Sequence, residues 1–118
     1  MMTRGFCNSV DVEAPVAAGG REYRVLVDRA RLPDARVAVA VYRYDAGVQG
    51  PAHAHAAETE VYYCLRGSGT VRVGGEVFRL KPGTVVHIPP GTEHQTRSDD
   101  ASELEFVAFF TPPIEFGR

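Results

Sequence analysis

GVQGPAHAHAAETEVYYCLRG, residues 47–67, is the stretch on which the reading of this chain turns. Successive side chains of an extended strand point to opposite faces, so His53 and His55, two residues apart, project to one side and aim two imidazoles at one point. Glu60 supplies a hard oxygen donor after a short excursion and opens an apolar stretch, Val61 to Leu65, able to pair beside the first. A third nitrogen must come from elsewhere. A second segment, GTVVHIPPGTEH at residues 83–94, ends on His94 just after the tight turn expected of Pro89-Pro90-Gly91, which makes His94 the best-placed candidate. Neutral imidazoles with a carboxylate suit iron, manganese, cobalt, nickel, copper or zinc better than calcium or magnesium. Taken singly, a His-x-His pair is more often ordinary strand or surface, and Pro-Pro-Gly-x-x-His is usually a loop with a polar end. Only the combination of offsets points to a metal.

Both segments resemble the two motifs of the cupin superfamily, the first from Gly47 to Gly67 and the second from Gly83 to His94, and the fifteen residues from Ser68 to Pro82 match the short spacing of small single-domain cupins. The resemblance covers Gly47 to Ser98, a little under half of the chain. It implies an all-β, single-domain jelly-roll β-barrel, forming a dimer, in which His53, His55, Glu60 and His94 hold one divalent transition metal, iron foremost, with manganese, nickel, copper, zinc or cobalt as alternatives. The motif spacing also selects Glu60 over Glu58, which has the same parity, and leaves Glu58 at the rim. Ser98 departs from the pattern, since the second motif often ends in asparagine.

Size and charge are consistent with one such domain. A chain of 118 residues holds a single core but not two jelly rolls. A net charge of −2 without a Lys/Arg run argues against nucleic acid or an anionic membrane as partner. The longest apolar run, Val37 to Tyr42, cannot span a bilayer, and MMTRGFCNSVDVEAP has no apolar signal region, so the cytoplasm is the expected location. Cys7 and Cys64 make no disulfide framework and are expected as free thiols.

Residues 1–20 carry little pattern and are expected as an arm or edge strand, with 21–118 forming the barrel. Glu22 to Asp28 alternates as a half-buried strand, Tyr23, Val25 and Val27 against Arg24, Leu26 and Asp28. Arg36 to Tyr44 is apolar on both faces, with Val37, Val39 and Val41 on one and Ala38, Ala40, Tyr42 and Tyr44 on the other. A second copy of the chain is a natural cover for the outer face, and a homodimer is expected. Thr70 to Leu80 reads as a hairpin around Gly74-Gly75. Leu104 to Phe110 is apolar at nearly every position and is expected to be buried on both faces.

Parity carries the reading into the pocket. If Glu60 faces inward, Tyr62 and Cys64 follow it at steps of two and are candidate pocket lining. Tyr62 offers a phenol to a substrate but is more commonly a packed interior residue, and Cys64 is expected to be inert. His87 is expected as a pocket-wall histidine or a proton-transfer group, with a fifth ligand as the weaker reading. Arg43, Gln49 and Gln95 flank the motif strands as possible substrate-orienting groups. Three histidines and one carboxylate leave open positions on an octahedral ion, which favours chemistry over a structural role. The foremost expectation is a small-molecule enzyme of the kind the cupin dioxygenases represent. Non-redox isomerase, polyketide cyclase or lyase chemistry, with Glu60, Tyr62 and His87 as proton-transfer candidates, comes next, followed by a non-catalytic ligand-binding protein.

Overall fold

The computed structural model describes residues 7–12 and 15–116. Nine strands follow a short 3-10 turn at Ser9–Asp11: β1 (Val16–Ala18), β2 (Arg21–Val27), β3 (Ala38–Tyr44), β4 (Thr59–Gly67), β5 (Gly69–Val73), β6 (Glu76–Leu80), β7 (Val85–Ile88), β8 (His94–Ser98) and β9 (Leu104–Thr111). They form a six-stranded sheet in the order β1-β2-β3-β9-β4-β7 and a three-stranded sheet in the order β6-β5-β8, with antiparallel pairing throughout. The all-β jelly roll expected from the motifs is present, but as two facing sheets rather than a closed barrel. Isolated bridges Gln49↔Arg97 and His53↔His94 connect the segment before β4 to β8. Among the described residues no helix is long and apolar enough to cross a membrane.

Alternation decides which residues fill the space between the sheets. Along β9, Leu104, Phe106, Ala108 and Phe110 are buried, and Ala38, Ala40 and Tyr44 of β3 lie directly opposite Phe110, Ala108 and Leu104. The small alanines leave room for the large rings beside them, as close packing demands. From the smaller sheet Val71, Leu80, Thr96 and Ser98 point into the same interior.

Two expectations about faces need correction. The outer face of β9 is not buried: Phe109 is 38% exposed and Val107 half-buried, because among the described residues no further layer covers this side of the larger sheet. Asp28, expected on a polar face, is only 3% exposed. A register shift between Val25 and Val27 breaks the alternation just before it, and the Asp28 carboxylate accepts hydrogen bonds from the Arg31 backbone N–H and guanidinium at 3.1 and 3.2 Å.

Gly74 closes the β5–β6 hairpin with φ of 58°, as the paired glycines suggest. Ser98, the departure from the second motif, proves structural. Its hydroxyl donates to the Asp45 carbonyl at 2.6 Å and accepts from the Val48 N–H at 2.9 Å, pinning the 45–48 turn to β8.

Candidate metal centre

Glu60 lies near the start of β4, between Ile88 of β7 and Phe110 of β9, on the inward face. His94 opens β8. His53 and His55 do not lie on a regular strand, contrary to the simplest reading of the pair, because residues 51–57 meet their neighbours only locally. Pro51 cannot donate to a ladder, and pairing is confined to a few bonds: Gly50 N–H to the Thr96 carbonyl at 2.9 Å, and Gly91 N–H to the His55 carbonyl at 2.7 Å. Between them His53 and His94 exchange both backbone hydrogen bonds, at 3.0 and 2.8 Å, and such an antiparallel pair sets both side chains on one face. The His53 and His94 ring centroids are 4.3 Å apart and those of His53 and His55 4.9 Å.

One donor atom from each of His53, His55, Glu60 and His94 lies within 4.8 Å of the others, a grouping able to hold a metal ion. His55 Nε2 is 3.3 Å and His94 Nε2 3.0 Å from Glu60 Oε1. Despite these short approaches, none of the three buried atoms has a properly directed hydrogen bond. Burial of polar atoms without partners is costly, and a bound cation would supply the partner that these atoms lack. Ligands about 2.1 Å from one ion sit about 3 Å apart when adjacent, so the donor set fits a divalent transition ion. The other ring nitrogens are already engaged: Nδ1 of His94 lies 3.2 Å from the Thr92 carbonyl and Nδ1 of His53 3.1 Å from the Pro51 carbonyl. These carbonyls favour the proton on Nδ1 and free Nε2 for an ion.

The electrostatics agree with that arrangement. Burial pushes the Glu60 carboxyl upward, but the close approach of the His55 and His94 imidazoles outweighs it and leaves the group below its ordinary value, so it is charged near neutrality. Burial lowers the His53 imidazole, favouring the neutral ligand form, whereas Glu60 raises that of His55. The His55 ring stands edge-on to Phe110 at 5.3 Å, which limits its rotation.

A cavity of about 280 Å³ opens onto these residues, walled by Arg21, Tyr23, Tyr42, Tyr44 and Tyr62, with Phe106 and the 114–116 segment completing it. Tyr62 is 3% exposed, its ring stacks on Phe106 at 4.3 Å, and its hydroxyl is 2.9 Å from the Thr96 hydroxyl. Burial raises the phenols of Tyr42, Tyr44 and Tyr62, so all three are neutral hydrogen-bonding groups. Arg21 pairs across the sheet with Tyr44, and its guanidinium carbon lies 5.5 Å from the centre of that ring.

Other residues singled out from the sequence fall elsewhere. Val86 and Ile88 take the inward positions of β7, so His87 is exposed on the outer face opposite Val61, and it lines neither the cavity nor the ligand cluster. Cys64 faces inward as expected but is sealed in the core away from the cavity, its S–H directed at the Arg66 carbonyl and its thiol raised by burial. Arg43 is held on the outer face by Glu22 at 2.8 Å and Asp45 at 2.9 Å. Gln95 donates to the Gly50 carbonyl and Gln49 is exposed. The cavity wall on β2 and β3 lies outside both motifs and was not anticipated. Its sequence signals were the shared parity of Tyr42 and Tyr44 with Ala38 and Ala40 and that of Tyr23 with Val25.

A family model described as "Cupin domain" matches residues 40–110. An uncharacterized protein of Streptomyces coelicolor is 30% identical over 82 residues, 70% of this chain and 76% of that protein. The L-ectoine synthase of Aliivibrio fischeri is 38% identical over 56 residues, 47% of this chain and 44% of that enzyme, so the match spans under half the relative's length. Among solved structures, KdgF from Halomonas sp. superposes with a TM-score of 0.82 at 21% identity, covering 96% of this chain and 97% of that one, a likeness of fold. With its sheet order, its ligand cluster and more than half its length matched by the family model, the chain belongs to the cupin domain family.

Proposed function

We propose that this protein is a metal-dependent enzyme acting on a small oxygen-bearing organic molecule, with one divalent transition ion held by His53, His55, Glu60 and His94. The observation that carries the reading is the convergence of His55 Nε2, Glu60 Oε1 and His94 Nε2, all buried and all without a directed hydrogen bond. When bound, such an ion supplies Lewis-acid polarisation of a substrate oxygen and, if it is iron, manganese, nickel or copper, the capacity for oxidation by dioxygen. Glu60 provides the negative charge at the centre. Tyr62 serves as wall and hydrogen-bond donor rather than base, since its phenol is neutral and tethered to Thr96. His87 takes no part, because it faces away from the cavity.

Non-redox isomerase, cyclase or lyase chemistry is favoured over dioxygenase chemistry by the cavity wall. Neutral phenols and a guanidinium are suited to stabilising negative charge that develops on a substrate oxygen.

Elemental analysis of protein purified without chelator, beside a Glu60→Gln variant, tests this. We expect close to one ion per chain in the wild type and a drop of about tenfold or more in affinity in the variant. Zinc would strengthen the non-redox reading, iron with substrate-dependent oxygen uptake would replace it by the dioxygenase, and no metal after reconstitution would overturn both.

The partner proposed is a second copy of the chain, seated on the outer face of the larger sheet. Tyr63, Leu65, Val85 and Phe109 are 42, 38, 60 and 38% exposed there, and Val39 and Val41 of β3 continue the apolar surface. Ion pairs Arg66–Glu105 and Arg43–Glu22 border it, the polar-rim arrangement of protein interfaces. Phe109→Asp is expected to convert a dimer into a monomer by light scattering, with the fold retained by circular dichroism. A monomeric wild type would refute this assembly.

A further inference from the structure

Arg21 is an arginine whose partner within the protein is aromatic rather than acidic. Among the described residues Arg31, Arg43, Arg66, Arg72, Arg79 and Arg97 form ion pairs with carboxylates and Arg24 and Arg29 donate to backbone carbonyls, whereas Arg21 has no carboxylate within 4.0 Å and lies against an aromatic ring. Its side chain shares the inward face of β2 with Tyr23 and Val25, leading into the cavity that His53, His55 and Glu60 also line. Its guanidinium lies over the Tyr44 ring, and five N–H donors on that group call for acceptors. Glu115 contributes to the same cavity but is exposed at its edge and does not pair with it.

Gly50 makes room for the Tyr44 hydroxyl. A Cβ at position 50 would come 2.6 Å from that oxygen, so any larger residue would displace the phenol over which Arg21 lies. The backbone is thus bare where Arg21 and Tyr44 turn toward the cavity. A planar guanidinium fork with an adjacent phenol matches the two oxygens of a carboxylate, and a cavity of about 280 Å³ accepts a small molecule.

We propose that Arg21, assisted by the Tyr44 hydroxyl, is the specificity-determining group of this cavity, and that the substrate is a small organic acid. Its carboxylate docks on Arg21 while a second oxygen of the same molecule faces the centre formed by His53, His55, Glu60 and His94. The second half of this assignment rests on the metal-centre reading; the first does not.

Calorimetric titration of cobalt(II)-loaded protein with malonate, succinate, glutarate, neutral succinamide and inorganic phosphate tests it, with cobalt content measured on each sample. At least one dicarboxylate is expected to bind with a dissociation constant of about 1 mM or tighter, and to perturb the visible cobalt spectrum. Succinamide should not bind. Arg21→Gln is expected to weaken that acid about tenfold or more at unchanged cobalt content, and Arg21→Lys to recover part of the loss. Equal binding by wild type and Arg21→Gln, no binding by any of the three acids, or tighter binding of phosphate than of every acid would each overturn the proposal. Protein that takes up no cobalt would defeat the metal-centre reading instead, and Arg21-dependent carboxylate binding to that metal-free protein would uphold the first half alone.

Discussion

His94→Ala is expected to abolish most of the metal-dependent gain in stability while leaving the two sheets folded. The side chain is fully buried, with Nδ1 3.2 Å from the Thr92 carbonyl and Nε2 3.0 Å from Glu60. Its backbone pairing with His53 does not involve the imidazole, so the β8 connection survives the substitution. Removing the ring leaves a cavity, at a cost of about 2–3 kcal/mol. Removing an unpartnered buried nitrogen recovers about 1–2 kcal/mol. The metal-free variant should therefore lie within about 2 kcal/mol of the metal-free wild type. With free metal at ~1,000 times its dissociation constant, the wild type gains about 4 kcal/mol. If losing this ligand weakens the site about 100-fold, the variant gains only about 1.4 kcal/mol at the same concentration. Urea unfolding followed by circular dichroism, with and without metal, measures all four values. Equal gains in both proteins would remove His94 from the ligand set, and an unfolded metal-free variant would make the residue structural.

The largest loss of stability is expected from Gly67→Ala. Gly67 ends β4 with φ of 77°, opposite Leu104, and a Cβ there would lie 1.7 Å from the Glu103 carbonyl oxygen and 2.7 Å from its carbon. The left-handed conformation alone costs a non-glycine residue about 1–2 kcal/mol. No side-chain rotation relieves the overlap, because both sides of it are backbone. Relief requires β4 and β9 to part beside the fully buried Leu104, at a total of about 4 kcal/mol or more. Gly74→Ala is the control: φ is 58°, but the nearest atom to a new Cβ is Thr92 Cγ2 at 3.7 Å, so only the conformational cost of about 1–2 kcal/mol applies. Denaturant midpoints of the two variants should differ clearly in that order, and similar losses would show that the β4–β9 junction yields more easily than its geometry implies.

Local rules made the candidate ligands, several strands of the motif region and the Gly74 hairpin legible in the linear chain. His-x-His spacing, the parity of Glu60, Tyr62 and Cys64, the turn before His94 and paired glycines all act within a few residues. The sequence by itself therefore determined which four residues come together as candidate metal ligands, although only Glu60 and His94 of them lie on strands. Tertiary structure alone decided three other matters. Alternation assigns His87 and Val85 to one face but does not say which face is inside; pairing with Glu60 and Val61 of β4 turned His87 outward. An apolar strand such as β9 looks buried on both sides until the layers are counted, and the described protomer supplies cover on one. Arg21, far from both motifs in the chain, reaches the cavity only because β2 pairs with β3 in the register that sets it against Tyr44, whose hydroxyl takes the space beside Gly50. Such contacts depend on nonlocal register, and no short-range periodicity encodes that.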